Sequence, residues 1–210
     1  MNKKISLKGI GIPFIFLLVI IVIYGPTITS EYLFVEGDGI GYYVSKVFWA
    51  NSVKEGEFPF WNPFVSIGTP FLADVQQTVL SPFNFIFLIF DTVLAFNIFR
   101  IVQLFLAGYF MFLLMHEIVG NYYVSIITGF LYSFSIMLGG GRVEHTTILT
   151  TISFFPIILY FLEKYRKTYS KYWLVASVLA MGVQFVSGFT QIVLYFDIIL
   201  FVYMLFILRE

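Results

Sequence analysis

Long apolar runs recur along this chain at Ile10 to Tyr24, Phe99 to Leu114, Val124 to Leu138, Thr147 to Phe161, Trp173 to Val186 and Gln191 to Leu208. Crossing a hydrocarbon core of about 30 Å takes ~20 helical residues, somewhat fewer when the ends snorkel, so each run is a candidate membrane helix. Composition points the same way: 60% of the 210 residues are hydrophobic and 21% aromatic, while only 11% are charged. A water-soluble domain of this size has too little interior to hide that much apolar surface. The expected fold is therefore all-α, a polytopic membrane bundle of about six spans forming a single module over residues 1–210.

Charge sets the expected orientation. Twelve basic residues balance twelve acidic ones, which argues against nucleic acid as a partner, and local charge matters more than the total. Lys3, Lys4 and Lys8 precede the first apolar run, and Gly25-Pro26-Thr27-Ile28-Thr29-Ser30 after it offers no convincing small-residue cleavage site. That pattern predicts a signal-anchor helix with a cytoplasmic N-terminus in a multi-pass cell-membrane protein. The basic cluster Lys164, Arg166, Lys167 and Lys171 should also be cytoplasmic. Parity then requires that the ambiguous stretch Phe83 to Phe96, with Asn84 and Asp91 in it and Asn97 beside it, be a helix that does not cross. There is no cysteine, hence neither a disulfide nor a thiolate metal site.

On this topology residues 27–97 form a large first extracytoplasmic loop with interfacial or re-entrant helices, ahead of a helical bundle over 98–210. The loop carries seven carboxylates against Lys46 and Lys54. Its turn chemistry is too specified for a mere connector, with Gly37-Asp38-Gly39, Trp61-Asn62-Pro63, Gly68-Thr69-Pro70 and Gln76-Gln77. The outer turns Gly139 to Thr146 and Ser187 to Thr190 share that face, so three loops can converge there.

Asp38, between two glycines, has the backbone freedom to approach a ligand closely and is the candidate catalytic base. Its bland counterpart is a solvated Asp-Gly turn. Tyr42, Tyr43, Trp61 and Asn62 offer amphipathic surface suited to a sugar or lipid headgroup. Arg142 has a guanidinium suited to phosphate oxygens, or to snorkelling toward lipid phosphates. His145 is a candidate phosphate donor or proton carrier. Arg100 opens a helix on the same side as a lipid-phosphate contact or an anchor, and Gln76, Gln77 and Gln191 complete the polar set. Asp197 lies within the last apolar run as either a polar pathway or a structural hydrogen bond, with Gln184, Gln191 and Tyr195 as local partners. His116 and Glu117, at a cytoplasmic helix end, are expected to do no chemistry. No cofactor is expected; Glu36, Asp38 and Asp74 have the oxygen chemistry for a divalent cation, but not a diagnostic spacing.

Taken in order, Glu36-Gly37-Asp38-Gly39, Pro59-Phe60-Trp61-Asn62-Pro63, Gly68-Thr69-Pro70, Gln76-Gln77, Ser81-Pro82-Phe83-Asn84 and the small-residue turn before His145 resemble the N-terminal part of YfhO-type bacterial membrane proteins, within the GT-C class of glycosyltransferases. Ser187-Gly188-Phe189-Thr190-Gln191 is a looser counterpart of the outer turn expected there. The resemblance implies an enzyme that moves a sugar from a polyprenyl-phosphate donor to an extracytoplasmic cell-envelope acceptor, a polymer such as lipoteichoic acid or a glycolipid. It implies an acidic catalytic residue in the first outer loop, for which Asp38 is the match and Glu36 the nearest alternative. Such proteins are longer, with more helices, so the likeness is to their front module. A carrier or flippase for a lipid-linked saccharide, and a non-catalytic partner subunit or fragment, are the rival expectations.

Overall fold

The computed structural model describes residues 7–28, 37–138 and 144–207. Over these the chain is helical, with no strand and one isolated antiparallel bridge between Asn62 and Thr69. The helices are α1 (Leu7–Ile28), α2 (Asp38–Lys54), α3 (Ile86–Ile89), α4 (Thr92–Val119), α5 (Tyr122–Leu138), α6 (Thr146–Thr168), α7 (Lys171–Ser187) and α8 (Thr190–Ile207). Of these, α4 and α6 are long and apolar enough to cross a membrane; shorter apolar helices cover Gly11–Pro26, Lys171–Ser187 and Thr190–Phe206.

α4 is the hub. It packs against α1, α5 and α6, and α6 in turn carries α7 and α8. Close approach at the α1, α4 and α5 junction depends on small residues: the Phe16 ring, stacked on Phe130 at 4.3 Å, lies against Gly108 and Gly129. A Cβ on Gly129 would come within 2.6 Å of Phe16 Cζ and 2.7 Å of the Gly108 carbonyl oxygen. Close packing of this kind holds the three helices together. At the α4 and α6 ends, Glu117 pairs with Lys164 at 2.9 Å and with Lys167 at 3.2 Å, tying two members of the basic cluster to α4.

The stretch from Phe83 to Phe96 is not one helix, which corrects the expectation. Pro82–Phe85 form a 3-10 turn that runs into the four-residue α3, and Phe90 is extended. Asp91 then starts α4, its carboxylate accepting the Val93 amide at 3.0 Å. An Asp before a helical run is a strong N-cap, and it cuts the apolar stretch in two. The eight residues Pro82–Ile89 rise only ~12 Å, too little to span a bilayer.

The segment between α1 and α4 has its own core. Trp49, Ala50, Phe71, Val79, Phe87, Ala95 and Phe96 are buried together, joining α2 to α3 and the start of α4. The loop between α2 and Val75 is shaped by the Asn62–Thr69 bridge and by Gly68, whose φ of +98° and close contact with the Trp61 ring leave no room for a side chain.

Candidate functional site

A cavity of about 780 Å³ opens where three stretches of chain meet: the first two turns of α2, the Asn62 to Gln77 loop, and the start of α6 beside the α7–α8 turn. Asp38, Tyr42, Asn62, Gln76, Gln77 and His145 all line it. Its size is that of a small-molecule pocket.

Asp38 owes its place to helix geometry. Gly37, at φ +52°, turns the chain into α2, and Asp38 is the first helical residue, exposed at the helix N-terminus. The glycine freedom expected on both sides of Asp38 is used on one side only, since Gly39 is a buried helical residue. A carboxylate in the first turn is favoured by the helix dipole, and a regular helix fixes it more firmly than a glycine turn. Tyr42 and Ser45 follow at the next two turns of the same face and also line the cavity.

Tyr42 bridges to the bundle. Its ring lies 5.4 Å from the His145 imidazole, tilted by 60°, and its hydroxyl accepts from Thr147 Oγ1 at 3.2 Å. His145 is the N-cap residue of α6 and is nearly buried. On the far wall, buried Asn62 accepts the Phe64 amide on its side-chain oxygen at 2.9 Å, while its backbone exchanges two hydrogen bonds with Thr69. Gln76 and Gln77 are set by Asp74, which accepts from the Gln76 amide at 3.0 Å and from Gln77 Nε2 at 2.7 Å. Among the described lining residues Asp38 is the sole carboxylate and His145 the sole imidazole, beside three amides, with Val44, Val65, Ile148 and Phe189 as apolar wall. Such a lining can hold a hydroxyl-rich ligand by its edges and take a proton at one point.

Other expected site residues lie elsewhere. Trp61 borders a second cavity of about 580 Å³, which shares Val44, Asn62 and Val65 with the first and adds Glu55, Glu57, Phe58 and Phe64. Tyr43 points into the core formed by α2, α3 and the start of α4, 6.1 Å from Phe96, because neighbouring helical residues diverge by about 100°. Burial, then the Asp91 carboxylate, raise its phenol above the usual range. Arg100 is buried, its guanidinium 4.7 Å above the Phe96 ring and 3.4 Å from Asn97 Oδ1, within the electrostatic reach of Glu144 and Tyr24. It was expected at a helix end; α4 starts two turns earlier, at Thr92, and draws Arg100 inside. Gln191 is exposed and donates to the Tyr195 hydroxyl, while Gln184 donates to the Thr151 carbonyl, so the amide nitrogens of both are engaged away from Asp197. Glu36 and Arg142 lie outside the described residues, as does the Gly139-Gly140-Gly141 turn. Asp74 is spent on its own turn and does not line the Asp38 cavity, and no group of three His, Asp or Glu residues that could hold a metal ion occurs among the described residues.

Two features escaped the sequence reading. Phe189 enters the cavity from the α7–α8 turn, its amide held by Thr151 Oγ1 at 2.7 Å. Lys46, fully buried behind the Gln76–Gln77 wall, donates to Thr78 Oγ1 at 2.6 Å, Asn84 Oδ1 at 2.7 Å and the Gln77 carbonyl at 3.3 Å. Its sequence signal was available: a lysine one turn after Tyr42 and one turn before Trp49 shares their helix face, which turns inward toward Trp49. The chain matches no family model, no curated protein and no solved structure.

Proposed function

We propose that this chain is the front module of a polyprenyl-phosphate-dependent sugar transferase, with Asp38 as the group that takes the proton from, or orients, the acceptor hydroxyl. The observation that carries the reading is the gathering of Asp38, Tyr42, Asn62, Gln76, Gln77 and His145 around one cavity from segments more than a hundred residues apart. In the step proposed, the acceptor oxygen attacks the anomeric carbon and its proton passes to Asp38. The bond from that carbon to the carrier phosphate breaks, and the phosphate leaves with the electron pair. The amides and Tyr42 hold sugar hydroxyls, and His145 with Arg142 meets the developing phosphate charge. The adjoining cavity, with Trp61 on its rim, has room for the acceptor. The chain is read as crossing the membrane six times, through α1, α4, α5, α6, α7 and α8, with the loop before α4 outside.

The test is transfer of labelled sugar from polyprenyl phosphate to envelope acceptors in membranes carrying the chain. Losing a positioned base costs ~10²–10⁴-fold in rate. Asp38→Asn should therefore abolish measurable transfer while inserting normally, and full activity in that variant would end the proposal.

A carrier for the same lipid-linked saccharide is the second reading, favoured by one observation. Thr146, Thr147, Thr150, Thr151 and Ser153 of α6 are buried, as are Gln103 and Gln184 on the helices beside it, a polar column beneath the cavity. Any route would run along α6 rather than past Asp197. The column ends at Ile157, Ile158 and Leu162, which are packed apolar core, so the transferase reading ranks first. Lipid translocation that survives Asp38→Asn and is lost in Gln103→Leu would reverse that order.

A further inference from the structure

Lys46 is 3% exposed, and all three of its acceptors are neutral oxygens on one segment: the Gln77 carbonyl, Thr78 Oγ1 and Asn84 Oδ1. Lysine is almost never fully buried unless it is paired, so this one answers a demand of its surroundings. Two of the acceptors are carbonyl oxygens, which cannot satisfy each other and need a donor between them. The segment is also strained at one point. Thr78 has φ +50° and ψ +42°, a left-handed conformation that a β-branched residue adopts only when its neighbours hold it there. Three groups do so: Lys46 on its hydroxyl, Asn84 Nδ2 on its carbonyl at 2.8 Å, and Trp49, which pins the next carbonyl, Val79, at 3.0 Å.

That strained residue directly follows Gln76 and Gln77, and its conformation ends their 3-10 turn. Asp38 and Tyr42, across the cavity, stand on the same helix as Lys46. We propose that Lys46 is a positioning residue: it clamps the strained Thr78 turn onto α2 and so fixes the Gln76–Gln77 wall opposite Asp38. The clamp works in either protonation state. An ammonium donates to all three oxygens, whereas a neutral amine donates to the two carbonyls and accepts from the Thr78 hydroxyl. The other titratable groups are Asp38, Tyr42, Tyr43 and Lys54 on α2 itself and Asp74 and Asp91 around it, whereas the Lys46 nitrogen bonds Gln77, Thr78 and Asn84. The importance of the wall rests on the reading of the Asp38 cavity as the working site; the clamp itself does not.

The chain has no cysteine, so single cysteines report cleanly. Gln77→Cys keeps the main-chain carbonyl that Lys46 uses, and Ile67→Cys, at a fully exposed site of the same outer loop, is the reference. The full chain in detergent is labelled with a hydrophilic maleimide, and the ratio of the two rates is read in four backgrounds: otherwise unchanged, Lys46→Met, Thr78→Val, and Lys46→Met with Thr78→Gly. Loss of a buried clamp should raise the ratio about three- to tenfold in Lys46→Met. Thr78→Val, which loses one of the three bonds, should raise it less. Thr78→Gly should bring the Lys46→Met ratio back down, because glycine takes the left-handed conformation without strain. A general loss of stability would not give that local rescue. An unchanged ratio in Lys46→Met, or a rise that Thr78→Gly does not reduce, overturns the proposal. If Lys46→Met is not recovered folded, Thr78→Val decides alone, and no change there overturns it. Labelling needs no sugar donor, so a failed clamp beside Asp38-dependent transfer leaves the transferase reading standing. A working clamp with no transfer in any background does the reverse.

Discussion

At the residue scale, the two groups that matter most meet opposite environments. Asp38 is exposed at a helix N-terminus, where charge is cheap; Lys46 is sealed away from water, where charge is costly. Burial alone pushes the Lys46 amine down to about 7, from 10.5 when exposed. Between those values the folded chain holds fewer protons than the unfolded one, so this residue's contribution to stability rises with pH. The cost of burying the ammonium is fully present below pH 7 and is relieved as the pH climbs toward 10.5. A shift of that size corresponds to several kcal/mol, on the order of 5. Heating detergent-solubilised protein at pH 6.5 and at pH 9.5 should therefore show a gain in resistance on going alkaline. Lys46→Met should lack that gain, and an equal pH slope in both proteins would refute the burial account. In the sequence Lys46 reads first as one of two positive charges relieving an acidic loop, and only its helical spacing from Trp49 hints at burial.

At the scale of elements, fit between helices decides more than their composition. Gly129 and Gly182 both sit inside helices, and helix propensity alone favours alanine at each by up to about 1 kcal/mol. The tertiary context separates them. At Gly129 an added Cβ meets the Gly108 backbone and the Phe16 ring, whereas at Gly182 nothing lies within 4 Å. Gly129→Ala should lower stability by roughly 1–3 kcal/mol, as overpacking does, and Gly182→Ala should be neutral or mildly stabilising. The fraction remaining monodisperse after heating measures both. Equal behaviour of the two variants would mean that the α1, α4 and α5 junction is looser than described. The boundary at Asp91 belongs to this scale as well: the stretch from Phe83 to Phe96, apolar on both sides of Asp91, is divided by one capping carboxylate.

For the whole molecule, the property that the proposed function depends on is orientation. If the chain threads the membrane as proposed, the loop before α4 is outside and the α4–α5 turn is inside, since Pro82–Ile89 is too short to cross. A reporter inserted after Asn121 should then register as cytoplasmic and one at Gly56 as extracytoplasmic; an extracytoplasmic signal after Asn121 would overturn the six-span reading. The sequence by itself determined the helical character and the apolar runs, because both follow from local periodicity and composition, which need no partner segment. It also marked out Asp38, Asn62, Gln76, Gln77 and His145 through turn residues and rare polar groups in apolar surroundings. Only the tertiary structure decided which of these share a cavity. Tyr42 was separated from Tyr43 by helix phase, Arg100 was drawn inside by an earlier helix start, and Trp61 went to the neighbouring cavity. Those outcomes depend on long-range packing: the Thr147–Tyr42 bond joins residues 105 positions apart, and Lys46 finds its acceptors 31 to 38 residues downstream. Contacts at such separations arise from how elements dock, and the local pattern of residues does not encode them.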